Sequence, residues 1–500
     1  MWMCNVWDYL EKAVKCYPDK IAFIDEVEEL TYQEIYQEAI KIGNLISIRT
    51  NRAVREPIAV YMKKSVRCIV AFLGIIYSGN FYVPIDTKAP MLRIKKILEN
   101  LSPTAIIYAD SEERLDGNWE NLLFSEAMQE SDKRFYDMKH AILDVDPLYV
   151  MFTSGSTGIP KGVVVSHRSV IDYIEWLSDT FHFDETVVFG NQAPFYFDNS
   201  ILDFYMTLCC GATMVIIPEM LFSFSGRLLE YMENKKINTI FWVPSALIGI
   251  ANSDAFNKVK LPKLEKILFC GEVMPNKQLN MWRRQYPEAL YANLYGPTEI
   301  TDVCSYYIIN RSFEDDEVLP IGQACRNTEI LVLNENDELV KDNEVGELCV
   351  RGISLSKGYY GDFAKTEEVF VQSPLNNKWK DLIYRTGDLV KYNDKNEIIY
   401  ICRKDYQIKH QGYRIELGEI ETAVASVLGV LRAAAVYDDK NRSILVFCVA
   451  KDIEPKSIYK ELKNKIPQYM LPDKITLVDQ MPMNANGKID RGFLRNLLEN

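Results

Sequence analysis

Residues 152 to 162 read Phe152-Thr153-Ser154-Gly155-Ser156-Thr157-Gly158-Ile159-Pro160-Lys161-Gly162. An apolar, strand-like run, Leu148 to Phe152, leads into this segment, and a second, Val163 to Val165, leaves it. Glycine lets a backbone take positive φ and approach a ligand closely. A loop of this composition can wrap phosphate oxygens with N–H and O–H donors while Lys161 supplies charge. The ligand class it suits is a polyphosphate, most simply ATP. The P-loop kinase pattern requires four residues between a glycine and Gly-Lys-Ser/Thr. Here Pro160 precedes Lys161 and Gly162 follows it, so that class is disfavoured. The plain alternative is a flexible Gly/Ser turn between strands.

The rest of the chain has to supply a scaffold for such a loop. At 500 residues it is too long for one ordinary core, so two or more domains are expected. Apolar β-branched runs at 58–62, 104–108, 213–217, 239–243 and 266–269 look like buried strands. Between them lie patterns of helical period at 227–234 and 276–286. That alternation argues for α/β layers with largely parallel sheets up to about residue 330. Short strands separated by polar turns follow (329–333, 346–351, 398–402) and suggest a small antiparallel or barrel-like part. From Asp405 onward the pattern is a shorter α+β segment.

Composition excludes several functions. A net charge of −13 argues against a general nucleic-acid binder. Eleven cysteines without CxxC pairing and four scattered histidines make neither a zinc site nor a disulfide framework, and fit a reducing cytoplasm. Cys209-Cys210 are expected to pack as small apolar residues. Asp8, Glu11 and Lys12 interrupt any signal-peptide core. The most apolar run, Cys68 to Tyr77, is too short to span a bilayer and reads as a buried helix.

Further segments agree with the phosphate loop. Asn293-Leu294-Tyr295-Gly296-Pro297-Thr298-Glu299 is a turn rich in ligand-capable groups. Tyr295 offers a flat face for a purine, and Glu299 a hard oxygen ligand suited to Mg²⁺ on phosphates. Tyr384-Arg385-Thr386-Gly387-Asp388 places a carboxylate after a glycine turn, suited to ribose hydroxyls. Arg403 and Asp405 follow a strand, and Asn486-Gly487-Lys488 sets a lysine on a turn. Each of these alone reads as an ordinary turn.

Together, and in this order, they resemble the adenylate-forming superfamily, and within it the amino-acid-activating adenylation domains. The resemblance covers nearly the whole chain. Leu30-Thr31-Tyr32-Gln33-Glu34, Gly79-Asn80-Phe81-Tyr82-Val83-Pro84-Ile85-Asp86, Phe197-Asp198-Asn199-Ser200 and Gly346-Glu347-Leu348 match its motifs. So do Gln407-Ile408-Lys409, Gly412-Tyr413-Arg414-Ile415-Glu416-Leu417-Gly418-Glu419-Ile420-Glu421 and Pro467-Gln468-Tyr469-Met470-Leu471-Pro472. The stretch Phe269-Cys270-Gly271-Glu272-Val273 is similar to that of D-alanine–carrier protein ligases. One departure is Cys402, where the pattern has glycine before Arg403.

The resemblance implies a large domain over residues 1–404, a hinge at Asp405, and a small mobile α+β lid over 405–500. It implies ATP binding by Thr153, Ser154, Gly155, Ser156, Thr157, Gly158 and Lys161. Gly271, Glu272, Asn293, Tyr295, Gly296, Asp388 and Arg403 would complete that site. Lys488, Thr298 and Mg²⁺ held by Glu299 would stabilise charge at the α-phosphate as a carboxylate attacks it. Such preorganised charge is worth roughly 3–4 kcal/mol per donor. No general base is needed, because the nucleophile is already an anion. After the lid rotates, Lys409 to Gly412 would line the channel for a phosphopantetheine thiol.

Asp198 aligns with the carboxylate that binds the substrate α-ammonium in amino-acid-specific members; its plainer role is a helix N-cap. A unit pair about 4 Å apart is worth roughly 4 kcal/mol at an effective dielectric near 20. The remaining pocket positions carried over are Asn199, Leu202, Ala246, Leu268, Cys270, Leu294, Asp302 and Val303. Cys270 matches a cysteine that favours the D enantiomer of alanine; it also reads as a buried strand-end residue. Asn199 and Asp302 are more polar than an alanine methyl needs, and buried polar groups want partners. Either the substrate carries a polar or cationic side chain, or these groups bond each other and water.

No Leu-Gly-Gly-x-Ser carrier segment follows Lys488 before Asn500, so a stand-alone cytoplasmic ligase serving a separate carrier protein is expected. Lys451, Lys456, Lys460, Lys463, Lys465 and Lys474 give the lid a basic face that could steer an acidic carrier. Neither nucleic acid nor membrane insertion is expected. Alternatives are an adenylation enzyme for a polar amino acid in nonribosomal peptide synthesis and an acyl- or aryl-CoA ligase, which would not need Asp198. A non-catalytic nucleotide-binding relative would have lost Lys488, Glu299 or Asp388, and all three are present.

Overall fold

A computed structural model describes residues 3–109, 113–129, 141–155, 159–405, 407–483 and 489–496. Of the expected site residues, Ser156, Thr157, Gly158 and Lys488 lie outside them. The chain divides into two compact units. The larger comprises Met1–Ile85, Ser102–Met151 and Val163–Cys402; the smaller comprises Asp86–Leu101, Phe152–Gly162 and Arg403–Asn500.

The expected strands form where β-branched runs occur. One sheet of the larger unit has nine strands, in the order Gln323–Ala324, Ser305–Ile308, Leu290–Tyr295, Lys266–Phe269, Thr239–Trp242, Val188–Asn191, Thr213–Ile216, Ile21–Ile24 and Glu29–Thr31. Pairing is parallel from Leu290–Tyr295 through Ile21–Ile24 and antiparallel at both edges. Parallel central strands are covered on both faces, which explains their unbroken apolar runs. A six-stranded sheet runs Glu120–Leu123, Ala105–Tyr108, Pro57–Tyr61, Phe81–Pro84, Pro147–Thr153, Lys161–Ser166. Residues 154–160 connect its last two strands in the chain.

The part beyond residue 328 is antiparallel, as expected: Thr328–Leu333, Gly346–Gly352, Leu382–Tyr392 and Phe370–Gln372 pair in that order, and Ile398–Arg403 joins Leu382–Tyr392. The run predicted as a buried helix is Val66–Tyr77, almost wholly buried. Among the described residues no helix is long and apolar enough to cross a membrane.

Several of the matched motifs prove to be framework. Thr31 and Glu34 form a reciprocal capping box at the start of helix Tyr32–Arg49: the Thr31 hydroxyl accepts from Glu34 N–H, and Glu34 Oε2 accepts from Thr31 N–H at 2.8 Å. Asn80 is buried and bonds three backbone groups and Ser78 Oγ, fixing the entry to strand Phe81–Pro84.

The smaller unit packs helices Leu417–Ala425 and Pro455–Leu462 on a three-stranded sheet, Val430–Asp438, Ser443–Ala450, Lys474–Leu477. A hairpin, Gln407–His410 with Tyr413–Glu416, turns through Gln411 and Gly412, both at positive φ. That is the two-residue turn whose twist matches its strands.

Candidate functional site

The residues expected to line an amino-acid pocket lie in the larger unit. Leu202, Leu268, Cys270, Leu294 and Val303 are buried in one apolar cluster. Ala246 is half-buried and packs on a neighbouring cluster instead.

Into this apolar setting the chain places three polar side chains. Asp198 is buried, and its Oδ1 accepts from Asn199 N–H at 3.0 Å. It is not the helix cap: Asn199 occupies the N-cap of Ser200–Cys210. Asparagine at that position normally bonds the first-turn N–H groups. Here its side chain makes no capping bond, and Nδ2, on a residue 5 % exposed, has no partner. A methyl group at Gly271 would lie 3.9 Å from that nitrogen; Gly271 itself takes φ +100°.

Asp302 is 1 % exposed. Its Oδ2 accepts from the Tyr173 hydroxyl at 2.7 Å, while Oδ1 has no partner. The two polar candidates therefore do not satisfy each other. Burial, and next the negative Asp198, push the Asp302 carboxyl well above the usual carboxylate range. Its backbone is unusual as well: Thr301 and Asp302 both lie in the left-handed region, at φ +59° and +70°. Consecutive left-handed non-glycine residues store strain and cluster at functional sites. Gly296 permits this turn, since a Cβ there would sit 2.3 Å from Asp302 O.

Two tyrosines that sequence reasoning missed complete the cluster. Tyr173 orients Asp302. Tyr149 is fully buried, its hydroxyl has no partner, and Asp198 and Asp302 lie near enough to add to the upward push that burial gives its pKa. Aromatic residues on a strand and a helix carry no sequence signal for such a role.

The nucleoside-binding candidates are held by a second network of the same unit. Asp388 is buried and accepts from the Tyr295 hydroxyl on Oδ2. Its N–H bonds Thr386 Oγ1, whose own hydroxyl donates to Leu348 O. Glu347 accepts from Gly387 N–H and Arg385. The Gly346-Glu347-Leu348 motif thus braces the Asp388 turn. Glu272 accepts from Ser245 N–H at 2.8 Å, and Asn293 Nδ2 donates to Pro320 O. Thr298 and Glu299 form a short 3₁₀ turn; Glu299 is wholly buried and accepts from the Tyr359 hydroxyl at 2.7 Å. Among the described residues no group of three or more His, Cys, Asp or Glu could hold a metal ion. A lone carboxylate sharing Mg²⁺ with substrate phosphates and water still fits that ion's habits.

In the smaller unit the residues expected to bind phosphate meet the segment 414–419. Ser154 Oγ donates to Arg414 O at 2.7 Å and accepts from Glu416 N–H. Gly155 N–H donates to Glu419 Oε2 at 3.3 Å, and Lys161 Nζ lies 3.6 Å from Glu416 Oε1. Glu419 also pairs with Arg93, a residue not anticipated, on helix Met91–Leu101. Thr153 Oγ1 has no partner. Arg403 binds Asp405 in a two-pronged pair. Burial pushes the Asp405 carboxyl up, but the Arg403 bonds and charge outweigh it and hold the group below its ordinary value. Lys409 and Gly412 lie on the 407–416 hairpin, at a strand position and in its turn. Of the lysines expected to form a basic face, Lys451, Lys456, Lys460, Lys463 and Lys474 are exposed.

Comparison with known proteins matches residues 10–360 to the AMP-binding enzyme family and residues 419–488 to the AMP-binding enzyme C-terminal domain. A D-alanine--D-alanyl carrier protein ligase from Bacillus licheniformis is 32 % identical over 97 % of this chain and 98 % of its own length. A ligase of the same name from Lacticaseibacillus rhamnosus is 31 % identical over 98 % of each chain. Among solved structures, the adenylation domain AlmE of Vibrio cholerae, in complex with glycyl-adenosine-5'-phosphate, superposes with a TM-score of 0.83 at 21 % identity, covering 100 % of this chain and 98 % of that one. An NRPS protein with adenylation and PCP domains gives 0.86 at 22 % identity, over 98 % of this chain and 84 % of that one. These two likenesses bear on the fold.

Proposed function

The chain belongs to the AMP-binding enzyme family, and on that premise we propose that it activates an amino acid with ATP and passes it to the phosphopantetheine thiol of a separate carrier protein. It is an AMP-forming ligase. The observation that carries the amino-acid part is Asp198, a buried carboxylate near Asp302 and Tyr149. A buried carboxylate wants a cationic partner, and the α-ammonium of an amino acid supplies one.

In the first step an oxygen of the substrate carboxylate forms a bond to the α-phosphorus of ATP. The bond from that phosphorus to the bridging oxygen breaks, and its electron pair leaves with pyrophosphate. Lys488 and the Thr298 hydroxyl stabilise the charge gathered on phosphorus. Glu299 would hold Mg²⁺, which neutralises phosphate charge when bound. In the second step the carrier thiol, losing its proton, attacks the acyl carbon, and AMP leaves with the electrons of the broken C–O bond. Residues 1–404 act as the binding domain and 405–500 as a lid hinged at Asp405, with Lys409 and Gly412 facing the thiol. The exposed lysines of the lid favour an acidic carrier. A cytoplasmic location suits an ATP-consuming enzyme with eleven free cysteines.

The relatives' names point to D-alanine as the amino acid. The unpartnered atoms of Asn199 and Asp302 favour a second possibility, developed below.

Amino-acid-dependent ATP–pyrophosphate exchange tests the first step directly. Lys488→Ala should lower exchange about 100- to 1,000-fold yet transfer aminoacyl groups from preformed adenylate to a carrier thiol. Equal loss of both half-reactions would remove Lys488 from the first step.

A further inference from the structure

We infer that the amino acid activated here has a short, neutral side chain ending in a hydroxyl or carboxamide, held between Asn199 and Asp302; this rests on the amino-acid adenylation proposed above. Three polar atoms here have no partner: Asn199 Nδ2, Asp302 Oδ1 and the Tyr149 hydroxyl; Asp198 and Asp302 lie near enough to Tyr149 to act on it, and a Cβ at Gly271 would meet Asn199 Nδ2 at 3.9 Å. All three belong to residues at least nine-tenths buried.

An alanine methyl group can bond none of them. Each buried polar atom left unmade costs about 1–3 kcal/mol, so an alanine pocket built this way would pay repeatedly for nothing. A side-chain carboxylate would add a third acid beside Asp198 and Asp302. A side-chain ammonium only donates hydrogen bonds, and so does Asn199 Nδ2, leaving that nitrogen as it was. A hydroxyl or a carboxamide both donates and accepts. With Tyr173 donating to Oδ2, and with burial and Asp198 favouring the protonated acid, Asp302 offers an O–H at Oδ1. The substrate group then accepts from Asp302 or Asn199 and donates to the Tyr149 oxygen.

The test is ATP–pyrophosphate exchange with the full chain over both enantiomers of serine, threonine, asparagine, glutamine, alanine, valine, ornithine and lysine, with benzoate and a fatty acid alongside. A site built to bond a substrate hydroxyl or amide rejects analogues lacking it strongly, so kcat/KM for the preferred polar amino acid should exceed that for alanine at least about 100-fold. Asn199→Leu and Asp302→Leu should each shift the ratio of polar amino acid to alanine toward alanine, at least about 10-fold. A reversal of preference is something that damaged folding cannot produce.

Alanine as the best substrate overturns the inference and leaves adenylation standing. Ornithine or lysine as the best substrate overturns the neutral class. Proportional loss of exchange with every amino acid in both variants makes the two residues structural and also overturns it. Exchange with benzoate or the fatty acid alone overturns the amino-acid function and the inference together.

Discussion

Asn199 Nδ2, Asp302 Oδ1 and the Tyr149 hydroxyl reach no partner. Ser154, Gly155 and Lys161 of the phosphate loop, by contrast, are each engaged by residues 414–419. Both regions are rich in polar groups, but three buried atoms of the first are left unbonded, while Ser154, Gly155 and Lys161 are committed to protein partners. The difference separates two kinds of specificity. Reserved capacity within a rigid apolar wall discriminates among side chains, because a wrong substrate leaves the reserve unmet. Capacity spent on protein partners fixes a loop's shape, and a ligand there has to replace bonds rather than complete them.

The largest effect that can break this contrast concerns Glu419. Arg93 and Glu419 are 6 % and 4 % exposed and pair with each other. Removing one partner of a buried pair leaves an uncompensated charge, at about 3–5 kcal/mol. Glu419→Ala should therefore shift the denaturation of the full chain to clearly lower denaturant. The double variant R93M/E419M should recover most of the loss. A single variant that unfolds where the parent does would show that the loop's partners are decorative.

A smaller effect belongs to the larger unit. His167 is fully buried; its Nδ1 accepts from Val6 N–H, and its Nε2 has no partner. Burial lowers its pKa from 6.5 to about 4. Between those values the unfolded chain binds the extra proton and the folded one does not. Stability from this residue is thus full above pH 6.5 and is lost as pH falls toward 4, on the order of 3 kcal/mol. His167→Gln should flatten the acid limb of a stability–pH curve; an unchanged slope would assign that limb to other groups.

The smallest effect sharpens the pocket side. Tyr173→Phe deletes the hydroxyl that holds Asp302 Oδ2, at about 1–2 kcal/mol. Discrimination among amino acids in the exchange assay should fall with little change in thermal midpoint. Unaltered discrimination would mean that the left-handed backbone at Thr301 and Asp302 suffices to aim the carboxyl.

The strands at 57–61, 213–216, 239–242 and 266–269 were legible because a two-sided parallel sheet writes itself as an unbroken apolar run. The expected site segments stand out in the sequence as motifs, since glycine turns and charged residues are locally encoded. Three things were not legible. The Tyr173 hydroxyl acts through a distant pairing with Asp302, and the Tyr149 hydroxyl through burial without a partner; neither leaves a local trace. Asp198 reads as a cap from its place before a helix, yet the cap position is one residue on, at Asn199. The membership of Asp86–Leu101 in the smaller unit rests on tertiary contacts such as Arg93 with Glu419, and a lone arginine on a helix announces none of that.

The bond from Gly155 N–H to Glu419 has a thermodynamic corollary. One N–H serves one anion at a time. A phosphate oxygen taking that donor would displace Glu419 Oε2 from it, while Glu419 Oε1 faces Arg93. On the proposed nucleotide site, occupancy at this amide and the Gly155–Glu419 bond would be linked equilibria: whatever strengthens one would weaken the other by the same free energy.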